Sequence, residues 1–546
     1  TKLIKKKIKK GVTNTLKNIT KLIKKNVANT LKNITKLKEE MIKTILGPPG
    51  CGKTQTNSNL IQSYIKEGIA PEQIACVSFT RKAAQESRER VSNDWGVPTD
   101  SLPYFQTLHS MAFRAGGYKP SDVIRGSDLK AIGDAVSVPF AFKRDSNVES
   151  DFDKLGASVG DTYLGLHHLS RSKCQSLEQT FREANNYNLH WPELKRLVDT
   201  YESYKKAHGK LDFTDMIDNF VKEDRCPDIE ALFVDEAQDL STLQWSMVDV
   251  LRKTKVQVFT GDDDQAIMGF QGADVGAFLN ATKEKEVLQQ SYRLPYEPWQ
   301  EAQRIVSRIE GRQPKEWQPK EAEGLVRYHQ DMYDVPIDQG EWCIMARTNR
   351  IASHYANALM DEGWVFSRNG HPSIQAKTYE AIVDWEQWCK NDQISGQQLR
   401  NIYTLMSVGV GFTRGYGPRS KALLGIDPEV FITMNQAKDS YGLLVSDTMR
   451  WHQSLDKIDT DTRNYILSAL KRGDNIKNPR IKINTIHGMK GGECDNILVI
   501  PDLSHAAYKQ YQRNPNMEHR VYYVAVTRTK DTLHILEPTT DAYYSL

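Results

Sequence analysis

The sequence predicts an α/β protein with two wound parallel sheets, each carrying a mainly helical insertion. Three observations lead there. Short apolar runs alternate with amphipathic helical patterns along most of the chain. Two polar, helix-patterned stretches, 114–204 and 376–475, interrupt that rhythm. A glycine-rich loop follows the first apolar run and leads straight into a helical pattern, the context of a phosphate-binding strand–loop–helix unit.

Residues 1–40 come first and stand apart. TKLIKK occurs at 1–6 and 20–25, and NTLKNITKL at 14–22 and 29–37. Thirteen Lys against two Glu give this segment +11, which leaves −7 for the rest of a chain whose total is +4. The body is therefore mildly acidic, and any nucleic-acid path must be a local groove. Apolar residues recur here near helical spacing, as in a basic amphipathic helix that would bind phosphates or an anionic surface. A solvated tail is the expected reading, with Met41 as a natural chain start.

From Met41 onward, IKTIL (42–46), IACVSF (74–79), ALFVDE (231–236), VQVFTGD (256–262), EWCIMAR (341–347) and NILVIPD (496–502) are predicted as buried parallel strands. The expected first core is 41–113 with 205–292, interrupted by the insertion 114–204. The expected second core is 293–375 with 476–546, interrupted by 376–475. At 546 residues the chain is too long for one core. No run reaches the ~20 apolar residues of a bilayer span, and the first residues lack a signal-type apolar segment, so a cytoplasmic protein without membrane contact is expected. Cysteines 51, 76, 174, 226, 343, 389 and 494 are scattered without a CxxC pair. That pattern excludes a zinc or iron–sulfur motif and leads to the expectation of reduced thiols.

GPPGCGKT at 47–54 fits G-x-x-x-x-G-K-[ST]. In such a loop Gly47, Pro48, Gly50, Cys51 and Gly52 wrap phosphates with backbone N–H groups, and Lys53 reaches the β/γ oxygens. Thr54 supplies a hydroxyl to Mg²⁺, and Gln55 follows at the start of the helix. ALFVDEAQD at 231–239 ends a strand in Asp235, a carboxylate placed for the metal, with Glu236 beside it to orient and deprotonate water.

These motifs sit within a longer colinear series. SFTRKAA (78–84), TLHS (107–110), KLDFTDMI (210–217), DEAQD (235–239), FTGDDDQAIMGFQGA (259–273), VLQQSYRLP (287–295), MARTN (345–349), INTIHGMKGGECD (483–495) and HRVYYVAVTRTK (519–530) follow in order. The series resembles the UvrD/Rep/PcrA group of superfamily 1 helicases. The resemblance implies two RecA-like cores with ATP and Mg²⁺ as cofactors. It implies further that Gln265 senses the γ-phosphate, that Arg293 and Arg528 act as arginine fingers, that Tyr292 stacks on adenine and that Glu493 accepts a hydrogen bond from the ribose. Phe79, Thr80, Arg81, His109, Phe270, Thr485 and His487 are implied as the DNA track, Phe270 standing where the family has a stacking Trp. Met268 and Gln271 replace a Tyr and an Arg common there.

The expected activity is a 3′→5′ DNA helicase, a monomer acting on single-stranded DNA and its junctions with duplex, in a bacterial cell or a phage-infected host. A translocase that displaces proteins without efficient unwinding is the alternative, because 376–475 is short for the family's regulatory insertion. A non-motor DNA-binding protein using the tail is a third reading. No Gln precedes Gln55, and Gln55 itself stands where the family tends to have Arg, so adenine selectivity is in question. Residues 502–517, with Tyr508 and Tyr511, form either a strand-separating pin or a surface loop. The stretch after 530 is too short to hold a nuclease domain.

Overall fold

The computed structural model describes residues 41–141, 158–184, 189–391 and 393–546. The lysine-rich repeats lie outside these residues. Chain contacts separate two compact units: one runs to Tyr292 and takes back Gly311–Gln318, the other holds Arg293–Glu310 and Pro319–Leu546.

In the first unit the strands are β1 (Met41–Leu46), β2 (Ile74–Ser78), β3 (Phe105–Thr107), β4 (Ala231–Asp235), β5 (Val256–Gly261) and β6 (Glu284–Val287). They form one parallel sheet in the order β3-β2-β4-β5-β1-β6. Every residue of β2, β4 and β5 is buried. Helices cover both faces of the sheet, so these strands read as continuous apolar runs rather than alternating ones. The edge strand β6 has the sequence EKEV, and its charged residues are exposed, which discourages pairing with another chain. The helices of the 124–201 region pack around a core of their own that includes Tyr163, Leu194, Leu197 and Tyr201.

A buried ionic cluster ties that region to the sheet's own helices. Lys205 Nζ lies 2.7 Å from Asp212 and 2.8 Å from Asp215, and Arg171 lies 2.8 Å from Asp215 and 2.5 Å from Asp218. Asp212 caps helix Phe213–Lys222, accepting from the Asp215 amide, so the KLDFTDMI segment acts as a bracket.

In the second unit the strands continue as β7 (Leu325–His329), β8 (Trp342–Ala346), β9 (Phe366–Arg368), β10 (His371–Pro372), β11 (Gln393–Ser395), β12 (Phe431–Thr433), β13 (Ile481–Thr485), β14 (Cys494–Val499) and β15 (Thr529–Leu536). Seven of them form the sheet β10-β9-β13-β8-β14-β15-β7, parallel except for β9 with β10. β11 and β12 pair antiparallel among the helices between Ala376 and Arg472, whose core includes Trp385, Trp388, Tyr403 and Phe412.

All six apolar runs expected as strands are strands, in two mainly parallel sheets. Two expectations change. Cys343 on β8 and Cys494 on β14 are joined as a disulfide across neighbouring strands. They are 151 residues apart in sequence, so only the fold brings them together. Residues 505–513 are helical (His505–Arg513) rather than an open loop, with Tyr511 packed against His519 and Tyr544. Among the described residues no helix is long and apolar enough to cross a membrane.

Candidate nucleotide and nucleic-acid site

The glycine-rich loop leaves β1 and enters helix Lys53–Lys66 through Gly52, whose φ of 76° is left-handed backbone that glycine adopts at no steric cost. Gly47 is small for a different reason. A Cβ there would come within 2.1 Å of Lys53 Cγ, and Lys53 Nζ donates to the Gly47 carbonyl at 2.8 Å. The loop is thus closed on its own lysine, and Cys51 is buried beneath it. Thr54 and Gln55 lie in the first helical turn, and Gln55 accepts from Arg90 Nη1 at 2.9 Å. Tyr292 donates its backbone N–H to the Gly50 carbonyl (2.9 Å), and the residue is 74% exposed beside the loop, with aromatic surface open to a base.

β4 delivers Asp235 to its C-terminal end. The side chain is buried, accepting from Thr260 Oγ1 at 3.0 Å and from the Glu236 amide at 3.1 Å. Burial raises its carboxyl to about 6, the adjacent Glu236 pushes the same way, and the Lys53 ammonium opposes both. A buried carboxylate raised in this way is stabilised by a cation, so Asp235 with the Thr54 hydroxyl suits a hard, oxygen-seeking ion such as Mg²⁺. Glu236 itself has φ 50°, a left-handed conformation unusual for a residue with a side chain. Its carboxylate accepts from Gln238 Nε2 at 2.6 Å.

Gln238 also accepts from the Asp262 amide through Oε1 at 3.0 Å. Gln265 Nε2 in turn donates to Asp262 Oδ2 at 2.7 Å. One hydrogen-bonded chain therefore joins Glu236, Gln238, Asp262 and Gln265. Sequence reasoning missed Gln238, Thr260 and Asp262 as positioning groups, although all three lie inside the quoted motifs.

Of the expected track residues, five belong to the first unit. Ser78 sits in register opposite Asp235, so Phe79, Thr80 and Arg81 leave the sheet just beyond that carboxylate. Thr80 caps helix Arg81–Trp95 by accepting from the Ala83 amide, and Phe79 packs partly into the core. His109 lies edge-on to Phe213 at 5.8 Å, and burial lowers its pKa to about 4, so it is neutral at ordinary pH. Phe270 is 36% exposed on the turn Gly269–Gln271. A 370 Å³ groove lined by Arg81, Arg88, Gln106, Thr107 and Ser110 runs along this side.

Thr485, at the end of β13, and His487 belong to the second unit, where Thr485 Oγ1 accepts from the Gly488 amide. In that unit Arg293 Nε donates to Glu493 at 2.6 Å, so the expected finger and the expected ribose acceptor are paired with one another. Arg528 is 3% exposed, its Nε donating to the Val524 carbonyl at 3.1 Å.

Comparison with known proteins agrees with the motif series. Residues 27–286 match the UvrD/REP helicase N-terminal domain, and residues 444–538 match the UvrD-like helicase C-terminal domain. The ATP-dependent DNA helicase PcrA of Bacillus subtilis (strain 168) is 25% identical over 370 residues, covering 62% of this chain and 48% of that protein. PcrA of Staphylococcus aureus (strain Mu50 / ATCC 700699) is 24% identical over 375 residues, 63% of this chain and 49% of that protein. The chain thus spans about half the length of the curated relatives it matches. With both helicase domains matched in order, and a phosphate loop, a metal-type carboxylate and a bonded Glu–Gln–Asp–Gln chain at the ends of one parallel sheet, the chain belongs to the UvrD/Rep/PcrA-like family of superfamily 1 helicases.

Proposed function

We propose that this chain is an ATP-dependent motor that moves 3′→5′ along single-stranded DNA and separates duplex strands. One observation carries the reading. The groups suited to hydrolysis and those suited to gripping a strand leave adjacent strands of one sheet, Asp235 and Glu236 from β4 and Phe79–Arg81 from β2, with Ser78 in register opposite Asp235. The hydrolytic and strand-gripping groups thereby share one end of the sheet on neighbouring strands.

In this mechanism the loop amides and Lys53 hold the phosphates, and Tyr292 stacks on the base. Thr54 and Asp235 would hold Mg²⁺, which would supply positive charge to the phosphates when bound. Glu236, oriented by Gln238, takes the proton of the attacking water, and Gln265 responds to the γ-phosphate. Arg293 and Arg528 add positive charge from the second core once Arg293 exchanges Glu493 for phosphate. Phe270 stacks on bases, while Arg81, Thr485 and His487 meet the strand on its phosphate side. The protein works as a monomer in the cytoplasm, on single strands and their junctions with duplex. Without a glutamine motif reading the base edge, stacking and phosphate contacts dominate, and other NTPs are accepted alongside ATP.

ATP hydrolysis with and without a single-stranded oligonucleotide, run beside unwinding of duplexes tailed at the 3′ or the 5′ end, tests this. Strand-stimulated hydrolysis with unwinding only from a 3′ tail is expected. Hydrolysis indifferent to DNA would overturn the motor. Streptavidin displacement without unwinding would identify the alternative, a translocase that strips proteins.

A further inference from the structure

Asp262, Asp263 and Asp264 are consecutive and all fully buried. Three carboxylates this close would hold a metal ion or repel one another into protonation. The centre they form is occupied by the protein itself. Lys315 Nζ lies 2.9 Å from Asp262, 2.8 Å from Asp264 and in direct contact with Asp263, with its side chain fully buried. Arg312 closes a two-pronged pair on Asp264 at 2.8 and 2.5 Å, and the Gln313 amide donates to Asp263 at 2.9 Å. Both cations come from Gly311–Gln318, the short return segment whose flanks on either side belong to the second unit.

Both oxygens of Asp262 are engaged. Oδ1 faces Lys315 at 2.9 Å and accepts from the Asp264 backbone N–H at 3.2 Å, and Oδ2 accepts from Gln265 Nε2 at 2.7 Å. A carboxylate turns as one plate, so losing the Lys315 contact leaves only the longer Asp264 N–H bond to hold Oδ1 and loosens the Oδ2 contact to Gln265. We propose that Lys315, backed by Arg312, is a positioning residue for ATP hydrolysis, holding the Asp262 carboxylate so that its other oxygen fixes Gln265. This rests on the hydrolytic reading above and extends it. The polypeptide that enters and leaves the second unit is thereby bonded to the γ-phosphate sensor. Burial opposes ionisation of Asp262, and the Lys315 and Lys53 ammoniums more than offset it, leaving the carboxyl below its ordinary range.

The test is a mutant cycle in the full chain, with Lys315→Met, Gln265→Ala and both together, reading kcat and KM for ATP beside thermal melts. Each single change is expected to lower kcat roughly ten- to a hundredfold with little change in KM, and the double variant to fall no further. A merely structural lysine would instead lower the melting midpoint and leave kcat of the folded protein intact. That result, or losses that multiply in the double variant, overturns the proposal. Should Lys315→Met fail to fold, Arg312→Gln, at a partly exposed position, replaces it in the same cycle, and full kcat there overturns the proposal too. Wild-type protein without ATP turnover would overturn the functional reading and this one with it. Wild-type turnover with an unaffected Lys315→Met variant overturns this one alone.

Discussion

Lys53 bends back on Gly47, and Glu236 is held in left-handed backbone by the strand end and Gln238. Two residue-level outcomes follow. Lys53→Ala is expected to abolish measurable NTP turnover, checked by phosphate release. Glu236→Gln should retain nucleotide binding, checked by fluorescent-nucleotide titration, while hydrolysis falls on the order of a hundred- to ten-thousandfold. Appreciable turnover in either variant would remove the role assigned to it. These two residues and Asp235 were legible because strand–loop–lysine and strand–Asp–Glu are local patterns. Gln238 and Thr260 were not, since their importance lies in hydrogen bonds across strand ends that no spacing rule encodes. Lys315 had no signal at all, as it lies some fifty residues beyond its aspartates and reads locally as a surface lysine.

At the level of elements, six buried strands declared themselves as apolar runs, since burial on both faces removes the alternation that makes half-exposed strands ambiguous. Short β3, the exposed β6, the antiparallel β9–β10 and β11–β12 pairs, and β7, β13 and β15, whose apolar residues are interrupted by Lys, Arg, Asp or Asn, carried no such signal and were missed. The stack of His329 and His534 on β7 and β15 gives an element-level prediction, Nε2 of the first lying 2.8 Å from Nδ1 of the second. Burial, then the neighbouring His329 and Arg327, lowers His534 to about 4. Between about pH 6.5 and 4 the unfolded chain binds a proton there that the folded chain refuses, so stability is full above 6.5 and falls on acidification. Denaturant melts from pH 7 to 5 should lose stability more steeply for the wild type than for His534→Gln; equal slopes would remove this imidazole as a source. For the tail, deleting residues 1–40 is expected to leave strand-stimulated hydrolysis largely intact. Loss of all DNA binding would favour the third, non-motor reading.

For the whole molecule, hydrolysis as proposed needs groups from both units. Arg293→Ala is accordingly expected to reduce kcat by about a thousandfold while ATP still binds, measured by the same titration and release assays. A variant with normal kcat would exclude this arginine from the transition state. The interleaving of the units along the chain also bears on how the protein can be taken apart. A gene fragment stopping at Tyr292 encodes every strand of the first sheet yet omits Lys315 and Arg312, the cations bonded to Asp262–Asp264. Such a fragment would keep three carboxylates in its interior without the two cations that lie against them, with Lys53 left to offset Asp262. It should aggregate or stay molten where one extended through Gln318 folds, so the natural dividing line of this protein lies in space and at no single peptide bond.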